Sequence, residues 1–462
     1  MCLSVAILNG ISILRYINRY IVILFLLIYA ADAQQPALLV NDFPGNDAGA
    51  KIAACIAALP SGGGVCDARG LTGNQTISSF TITKPVSLLI GAGNYSVTGT
   101  VTWQNVDGPS LVGVGTQLTS NRMTVFTWDG DATAPMFRLT GVRNSDFRFF
   151  TIKANNTKPV ATAILSDSGF GRTLTTGNHF SDMNIDGTNG GIGKGFLFTT
   201  GGNGDVNDDA NIFTRVRVSN FTIAGWSFEH SQSKIHEMYS CGCSGNGKGQ
   251  YCVTTALGPR AQGGSFSWIG GGGGGESGAD FYLGSPNEAI NIINSYWEGS
   301  SRFVLTAGSS SNSWPVTLLG NKWHTNGLNA DGKAVYYTHR GVLALYQNAF
   351  AGDVKNLQFA IVCSVSECRG RAEGNSIYSS VTNPFMGSGR INWFTVGNWR
   401  WDGTNWTTIT DVILPTLTFK SLGTPGNGAF VYCPDCMKGS NPCSGSGRGT
   451  FAYRINGAWV CL

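Results

Sequence analysis

GNKWHTN (320–326) and QNAFAGD (347–353) are copies of one pattern, which recurs in INSYWEG (293–299) and GNSIYSS (374–380). The asparagines of the pattern lie 27 residues apart, at Asn294, Asn321, Asn348 and Asn375. Asn398 in GNWRWDG (397–403) continues the series after a shorter step, and looser copies precede it at SDMNIDG (181–187), TRVRVSN (214–220) and HEMYSCG (236–242). A fixed period of this size predicts a solenoid, because one coil of three short strands and three turns needs roughly this many residues.

The repeat also predicts which side chains face inward. The position two residues after each asparagine is large and apolar, which predicts an inward core ladder of Tyr296, Trp323, Phe350 and Ile377. Strand alternation then turns the positions one and three after the asparagine outward. We therefore expect an outer face that carries Trp297, His324, Tyr378 and Trp401, with the asparagines stacked about 5 Å apart along one edge.

Composition agrees with an all-β chain. Of 462 residues only 13% are charged and 64 are glycine, which is typical of many short strands and tight turns and argues against helical bundles. The net charge is only +4, and the sequence lacks the clusters of Lys and Arg that are typical of proteins with a nucleic-acid partner.

The first 33 residues predict a signal peptide. Arg15 and Arg19 precede a short apolar run at 21–30, and Ala31-Asp32-Ala33 forms a cleavage pattern. The alternative is a membrane anchor, but the run is about half the length of a transmembrane helix. We expect a secreted, periplasmic or cell-surface protein that does not contact the membrane after cleavage.

Export changes the interpretation of the 12 cysteines, because an oxidising compartment favours disulfides. Cys2 leaves with the leader, so an odd number remains and one thiol in the Cys241–Cys252 group is expected to be free. We expect the pairs Cys55–Cys66 and Cys363–Cys368. The last four, Cys433, Cys436, Cys443 and Cys461, are predicted to form disulfides, with a four-cysteine zinc site as the alternative.

The segment NDFPGNDAGAKIAACIAALPSGGGVCDARGLTG (41–73) resembles the opening of the pectate-lyase superfamily. The resemblance implies a right-handed parallel β-helix at 34–405, with a capping helix at 47–59. The tail from Gly428 to Leu462 resembles the cysteine-containing modules that close exported bacterial β-helix proteins, which implies a Cys-rich cap or interaction module at 406–462.

The resemblance does not transfer an activity. Of the polygalacturonase motifs only Asp208-Asp209 is present, and the Trp-Ile-Asp-His motif of calcium-dependent pectate lyases is absent. We predict no cofactor, with Ca²⁺ at Asp205, Asn207 and Asp209 as an alternative.

Candidate site residues lie in three places. Glu298, Arg302, Lys322 and His324 are predicted catalytic residues, since a proton donor or base beside cations suits an acidic sugar. Asp208 and Asp209 are a second predicted catalytic group, and Trp297, Tyr378 and Trp401 are predicted to bind substrate. A weaker candidate base is His230 or His236.

Two classes of function follow from these residues. The first is an exported lyase or hydrolase that acts on a glycan, including uronate-containing ones. The alternative is a non-catalytic carbohydrate-binding or adhesive protein, or a tailspike-like homotrimer. In each case the predicted partner is a polysaccharide or surface glycan.

Overall fold

The structure is a computed structural model. It describes residues 37–71, 73–116, 123–154, 157–167, 174–188, 190–200, 207–230, 232–245, 247–258, 264–284, 288–307, 315–325, 333–352, 360–363, 368–378, 384–387, 392–401, 404–409, 417–424 and 430–462.

One α-helix, α1, covers Ala48–Ala58 near the start of the described chain. Asp47 caps it, because its carboxylate accepts a hydrogen bond from the Ala50 N–H at 2.7 Å. At the other end the Lys84 ammonium donates to the carbonyls of Ile56 and Ala57, which suits the negative end of a helix dipole. Ile52 and Ile56 are buried against the first strands, so the predicted capping helix is confirmed.

Apart from α1 and a few short 3₁₀ turns, the regular structure of the described chain consists of short strands. β1 to β14 are Ala37–Leu39, Gly64–Ala68, Gly73–Ile77, Phe80–Ile82, Val86–Ile90, Gly93–Val97, Val101–Gln104, Ser110–Val112, Thr124–Trp128, Pro135–Thr140, Asp146–Arg148, Thr151–Lys153, Val160–Asp167 and His179–Ser181. β15 to β28 are Asn184–Asp186, Ile192–Phe198, Ile212–Thr214, Arg217–Ser219, Phe221–Phe228, His236–Tyr239, Gly242–Ser244, Tyr251–Thr254, Phe266–Ile269, Gly272–Gly274, Ala279–Leu283, Ile290–Ile293, Tyr296–Glu298 and Val304–Thr306. β29 to β43 are Val316–Leu319, Lys322–Thr325, Lys333–Tyr337, Gly341–Tyr346, Ala349–Gly352, Ala360–Cys363, Cys368–Glu373, Ser376–Tyr378, Phe385–Gly387, Asn392–Val396, Asn398–Trp401, Trp406–Ile409, Phe430–Cys433, Thr450–Ile455 and Ala458–Cys461.

Each strand from β2 to β36 pairs in parallel with the strand three positions later in the chain, which lies one coil away. The first sheet begins with β1 and takes every third strand from β2 to β38; the second sheet runs from β3 to β39 and the third from β4 to β37. β40 closes the second sheet by pairing antiparallel with β39. The chain is therefore a parallel β-helix, which confirms the solenoid predicted by the repeat and the strand arrangement implied by the resemblance. β40 lies just after the predicted boundary at 405/406.

The asparagines stack at the corner between the first and second sheets, but the stack begins one coil later than predicted. Asn321, Asn348, Asn375 and Asn398 are buried there, and the amides of the first three each donate to the side-chain oxygen of the next asparagine at 2.8–3.0 Å. Ser295 takes the place expected for Asn294, because its hydroxyl donates to the Asn321 amide oxygen at 2.6 Å.

Asn294 instead lies at the exposed turn position just before that corner. Its φ of 51° is left-handed, a conformation that asparagine tolerates better than most residues. The equivalent residue one coil later is Gly320. The coil that begins at Asn294 is one residue shorter than the 27-residue period, so the prediction for Asn294 is wrong by one position.

Six consecutive glycines occur at 270–275, and the middle ones form β24, Gly272–Gly274. β24 pairs with β21 and β27 in the second sheet. A Cβ atom at Gly272 would lie 1.7 Å from the Tyr296 carbonyl oxygen, and its φ of 145° excludes other residues. The glycines are needed for this rung to fit.

The C-terminal module is a three-stranded antiparallel sheet of β41, β42 and β43 with its own small core. A 3₁₀-helix at Phe419–Ser421 precedes it. Within the described residues we find no helix of the length and apolar character needed to cross a membrane.

Candidate functional site

Trp297 lies in the core, and this overturns its predicted role in substrate binding. It is fully buried, and its ring packs 4.8 Å from Phe281 and 5.0 Å from Trp268, measured between ring centroids. Tyr296, predicted to face inward, is 42% exposed. The cause is the one-residue shift at Ser295, since moving a strand by one residue exchanges its two faces.

The outer face of β27 and β30 carries three of the predicted catalytic residues. Glu298 and His324 are register partners on adjacent rungs, and Lys322 is the partner of Tyr296. The Tyr296 hydroxyl donates to Glu298 Oε2 at 2.9 Å, and Lys322 Nζ lies 5.1 Å from the centre of the Tyr296 ring. We call Tyr296, Glu298, Lys322 and His324 the mid-helix polar group.

Arg302 lies apart from this group in the fold. It comes just before β28, a strand of the third sheet, and its carbonyl accepts a hydrogen bond from the Asp280 N–H. The predicted pairing of Glu298 with Arg302 assumes that both residues share one face. A corner of the coil separates them.

The last rungs of the second sheet carry an exposed group of aromatic side chains. Trp399 and Trp406 are 46% and 42% exposed, and Tyr378 is exposed as well. The Trp406 ring lies 5.2 Å from Tyr378 and 5.5 Å from Trp401. We call Tyr378, Trp399, Trp401 and Trp406 the aromatic end face; the sequence identified Tyr378 and Trp401 but missed Trp406, which follows the last repeat.

Asp208 belongs to a buried polar cluster at the corner between the third and first sheets. Its carboxylate lies 3.1 Å from His230 Nε2, and Ser233 Oγ lies 2.9 Å from Nε2 of the fully buried His236. Burial raises the pKa of Asp208 to about 6, although His230 partly opposes this, and burial lowers the pKa of His236 to about 3.

This buried cluster brings Asp208 together with His230 and His236, which the sequence analysis treated as separate candidates. The His236 ring stacks on Phe228 at 4.4 Å between centroids, so the cluster is part of the core. A polymer cannot reach a base at this depth. Asp209 lies beside it but is partly exposed, and its carboxylate accepts a hydrogen bond from Thr176 Oγ1 at 2.5 Å. Asp205, the third residue of the alternative calcium site, lies outside the described residues.

Sequence reasoning missed a second buried pair, Glu276 and Asp280. The Ser300 hydroxyl lies 2.8 Å from one carboxyl group and 2.6 Å from the other, and Trp323 Nε1 donates to Asp280 at 2.8 Å. Burial raises the pKa of both carboxyl groups, and their mutual repulsion adds to the rise at Asp280.

The described cysteines agree with the predicted disulfides, and of the two pairs predicted by residue the structure describes Cys55–Cys66 in full. Disulfides join Cys55 to Cys66, Cys243 to Cys252, Cys433 to Cys436 and Cys443 to Cys461. Cys241 is free and buried, as expected for that group. Cys368 is disulfide-bonded, but the side chain of Cys363 lies outside the described part.

Fold and site together define a parallel β-helix protein with an exposed aromatic face and a C-terminal module that contains two internal disulfides. No protein-family model matches the chain, and no curated protein matches it. ORF18 of Geobacillus virus E2 is similar in structure at 12% identity and a TM-score of 0.38, over 90% of this chain and 68% of its own. The gp42 tailspike of Acinetobacter phage vb_AbaP_AS12 is similar at 12% identity and a TM-score of 0.34, over 92% of this chain and 82% of its own.

Proposed function

We propose that this chain is an exported β-helix protein that binds a glycan at the aromatic end face without cleaving it. The observation that carries this proposal is the exposure of Trp399 and Trp406 on one face, with the Trp406 ring in contact with Tyr378 and Trp401. Large apolar rings favour burial, and a group of them in solvent is typical of an interaction surface.

Sugar rings suit such a surface. A pyranose presents a face of C–H groups that packs on an indole or phenol ring, while its hydroxyls remain hydrated at the rim. In the aromatic end face, the Trp406 ring is tilted 78° from Tyr378 and 51° from Trp401. Rings at different angles offer separate stacking surfaces to successive sugars of a polymer.

Export is supported by the disulfides. Four are described, spread from Cys55 near the start of the coil to Cys461 near the end of the chain. Disulfides persist in oxidising compartments and are rare in the cytosol. An exported protein meets polysaccharides and surface glycans directly.

The test is glycan affinity measured by calorimetry on the purified chain, against a panel of neutral and uronate-containing polysaccharides. Replacing Trp399 and Trp401 together by alanine is expected to weaken binding at least about tenfold, since each lost stacking contact contributes roughly 1 kcal/mol. Phe394→Ala is the matched control, because Phe394 is 48% exposed on the first sheet in the last coil. Equal affinity in the double variant and the unchanged chain would contradict the proposal.

A second candidate function is cleavage of the glycan at the mid-helix polar group. It is favoured by the placement of Glu298 and His324 on adjacent rungs of one outer face, where one can donate and the other accept a proton. Unsaturated products, followed by their ultraviolet absorbance, and new reducing ends are the two readouts. Either product, if lost in Glu298→Gln and His324→Ala, would establish an enzyme.

The trimeric alternative concerns assembly. The mass of the chain in solution, measured by light scattering, separates a homotrimer from a monomer at once. Binding through the aromatic end face is compatible with either result.

A further inference from the structure

The small core of the C-terminal module is rich in cysteine. Its buried residues are Val431, Cys433, Cys436, Cys443, Ala452, Trp459 and Cys461, so more than half are cysteines. A domain this small does not bury enough apolar surface to fold alone and usually needs disulfides or a metal. The cross-links are therefore the main source of the module's stability.

The sulfur atoms of this core converge. The Sγ atoms of Cys436, Cys443 and Cys461 all lie within 4.8 Å of one another, and Cys433 is bonded to Cys436. Tetrahedral zinc with Zn–S bonds of about 2.3 Å separates its sulfur ligands by roughly 3.8 Å. Three of the four sulfurs already lie close to this spacing, and the fourth, in Cys433, is held next to them by its bond to Cys436.

Backbone hydrogen bonds position these cysteines independently of the S–S bonds. The Cys443 N–H donates to the Trp459 carbonyl at 2.7 Å, and the Cys461 N–H donates to the Ser440 carbonyl at 2.9 Å. The Cys433-x-x-Cys436 turn is closed by the Cys436 N–H, which donates to the Cys433 carbonyl at 3.4 Å. Two cysteines separated by two residues form the usual half of a structural zinc site.

We propose that the reduced C-terminal module binds one Zn²⁺ through Cys433, Cys436, Cys443 and Cys461. The site and the two disulfides are alternative cross-links of the same core. Zinc holds the module before export, where thiols are kept reduced, and the disulfides hold it afterwards.

The exchange between the two forms balances chemically. A phosphine reductant and one water convert each disulfide into two thiols, and the phosphine becomes its oxide; in a cell, a dithiol supplies the same two electrons and two protons and becomes a disulfide. Binding of Zn²⁺ then displaces the thiol protons, because thiolates are the ligands. A disulfide oxidant reverses the sequence: for each cysteine pair it accepts two electrons, takes up two protons to become a dithiol, and the metal is released.

The test uses the full chain, reduced by a phosphine under anaerobic conditions and titrated with Co²⁺ and then Zn²⁺. The proposal predicts the visible absorption of tetrahedral, thiolate-bound Co²⁺, its loss when Zn²⁺ is added, and about one zinc per chain by elemental analysis. The oxidised chain is expected to bind about none. Reduced chain that binds no zinc, or that shows no thiolate bands with Co²⁺, would overturn the proposal.

Paired variants assign the site. Cys443→Ser with Cys461→Ser removes two proposed ligands and is expected to abolish binding, from about one zinc per chain to about none. Cys55→Ser with Cys66→Ser removes a disulfide of the coil and is expected to keep the zinc. The opposite pattern would place the metal elsewhere and refute the assignment, and the cobalt spectrum of the unaltered chain tests the site even if a variant fails to fold.

Discussion

Glu276 and Asp280 share the Ser300 hydroxyl in the interior of the coil. Because the pKa of each carboxyl group is raised in the folded protein, the folded state holds protons that the unfolded chain releases. The stability of the fold therefore decreases as the pH rises above the ordinary carboxyl pKa of about 4 and towards the raised values.

Asp280→Asn removes one of these titrating groups and is expected to flatten this pH dependence. An asparagine amide can donate to the Ser300 hydroxyl while its oxygen accepts from Trp323 Nε1, so the hydrogen bonds are retained. Chemical denaturation at pH 4.5 and pH 8 should show the variant gaining at least about 1 kcal/mol over the unaltered chain at the higher pH. A variant that loses the same stability at both pH values would show that the pKa of Asp280 is not raised on folding and would contradict this prediction.

Trp297→Ala distinguishes a core residue from a binding residue. Its indole is fully buried and donates to Ser295 Oγ at 2.7 Å, so truncation is expected to cost about 3–5 kcal/mol. Glycan affinity of the folded fraction should stay unchanged. Thermal unfolding measures the loss of stability, and calorimetry measures the glycan affinity. Lost affinity with an unchanged melting temperature would mean that Trp297 is an exposed binding residue.

This residue also marks a limit of the sequence analysis. The repeat predicted Trp323, Phe350 and Ile377 as core correctly, because their coils keep the spacing of the asparagines. It failed at Trp297, where serine replaces asparagine at the corner and the visible Asn294 belongs to the turn. A serine hydroxyl can replace the asparagine amide as the hydrogen-bond donor at this corner, and a search for repeated asparagines does not detect that replacement.

At the scale of an element, the stacked asparagines from Asn321 to Asn398 join the C-terminal coils by hydrogen bonds. Asn348 illustrates these bonds: the side-chain amide donates to the Leu318 carbonyl and to Asn375 Oδ1, both at 2.9 Å, and the side-chain oxygen accepts from Asn321. All these groups are buried, so none can turn to water instead.

Asn348→Ala is expected to destabilise the chain by about 2–4 kcal/mol, because it leaves buried donors and acceptors without partners. Asn294→Gly is the control: it is exposed with a left-handed φ that glycine adopts freely, so its effect should stay within about 0.5 kcal/mol. Equilibrium denaturation compares them. Equal effects would show that the stack contributes nothing beyond an ordinary turn.

At the scale of the whole molecule, the solenoid was predictable because every coil repeats the same local requirement, and the resemblance of segment 41–73 implied its parallel β-helix form and its cap. The buried clusters were not predictable in this way. Asp208 and His236 meet at a corner although 28 residues separate them, and Glu276 meets Ser300 from the next coil. Only the register of the coils, set by loops of unequal length, brings such residues together.

The proposed glycan-binding role is likewise a property of the whole coil, since the aromatic end face combines β36, β39 and β40. β36 and β39 are successive rungs, and β40 turns back against β39. No single segment of the chain carries more than two of its rings.

The most direct test of this account is a crystal structure of the chain with the oligosaccharide that binds it most tightly. We expect a sugar ring packed against Trp399, Trp401 or Trp406, with unbroken glycosidic bonds. A sugar held at Glu298 and His324, with the aromatic end face empty, would contradict it.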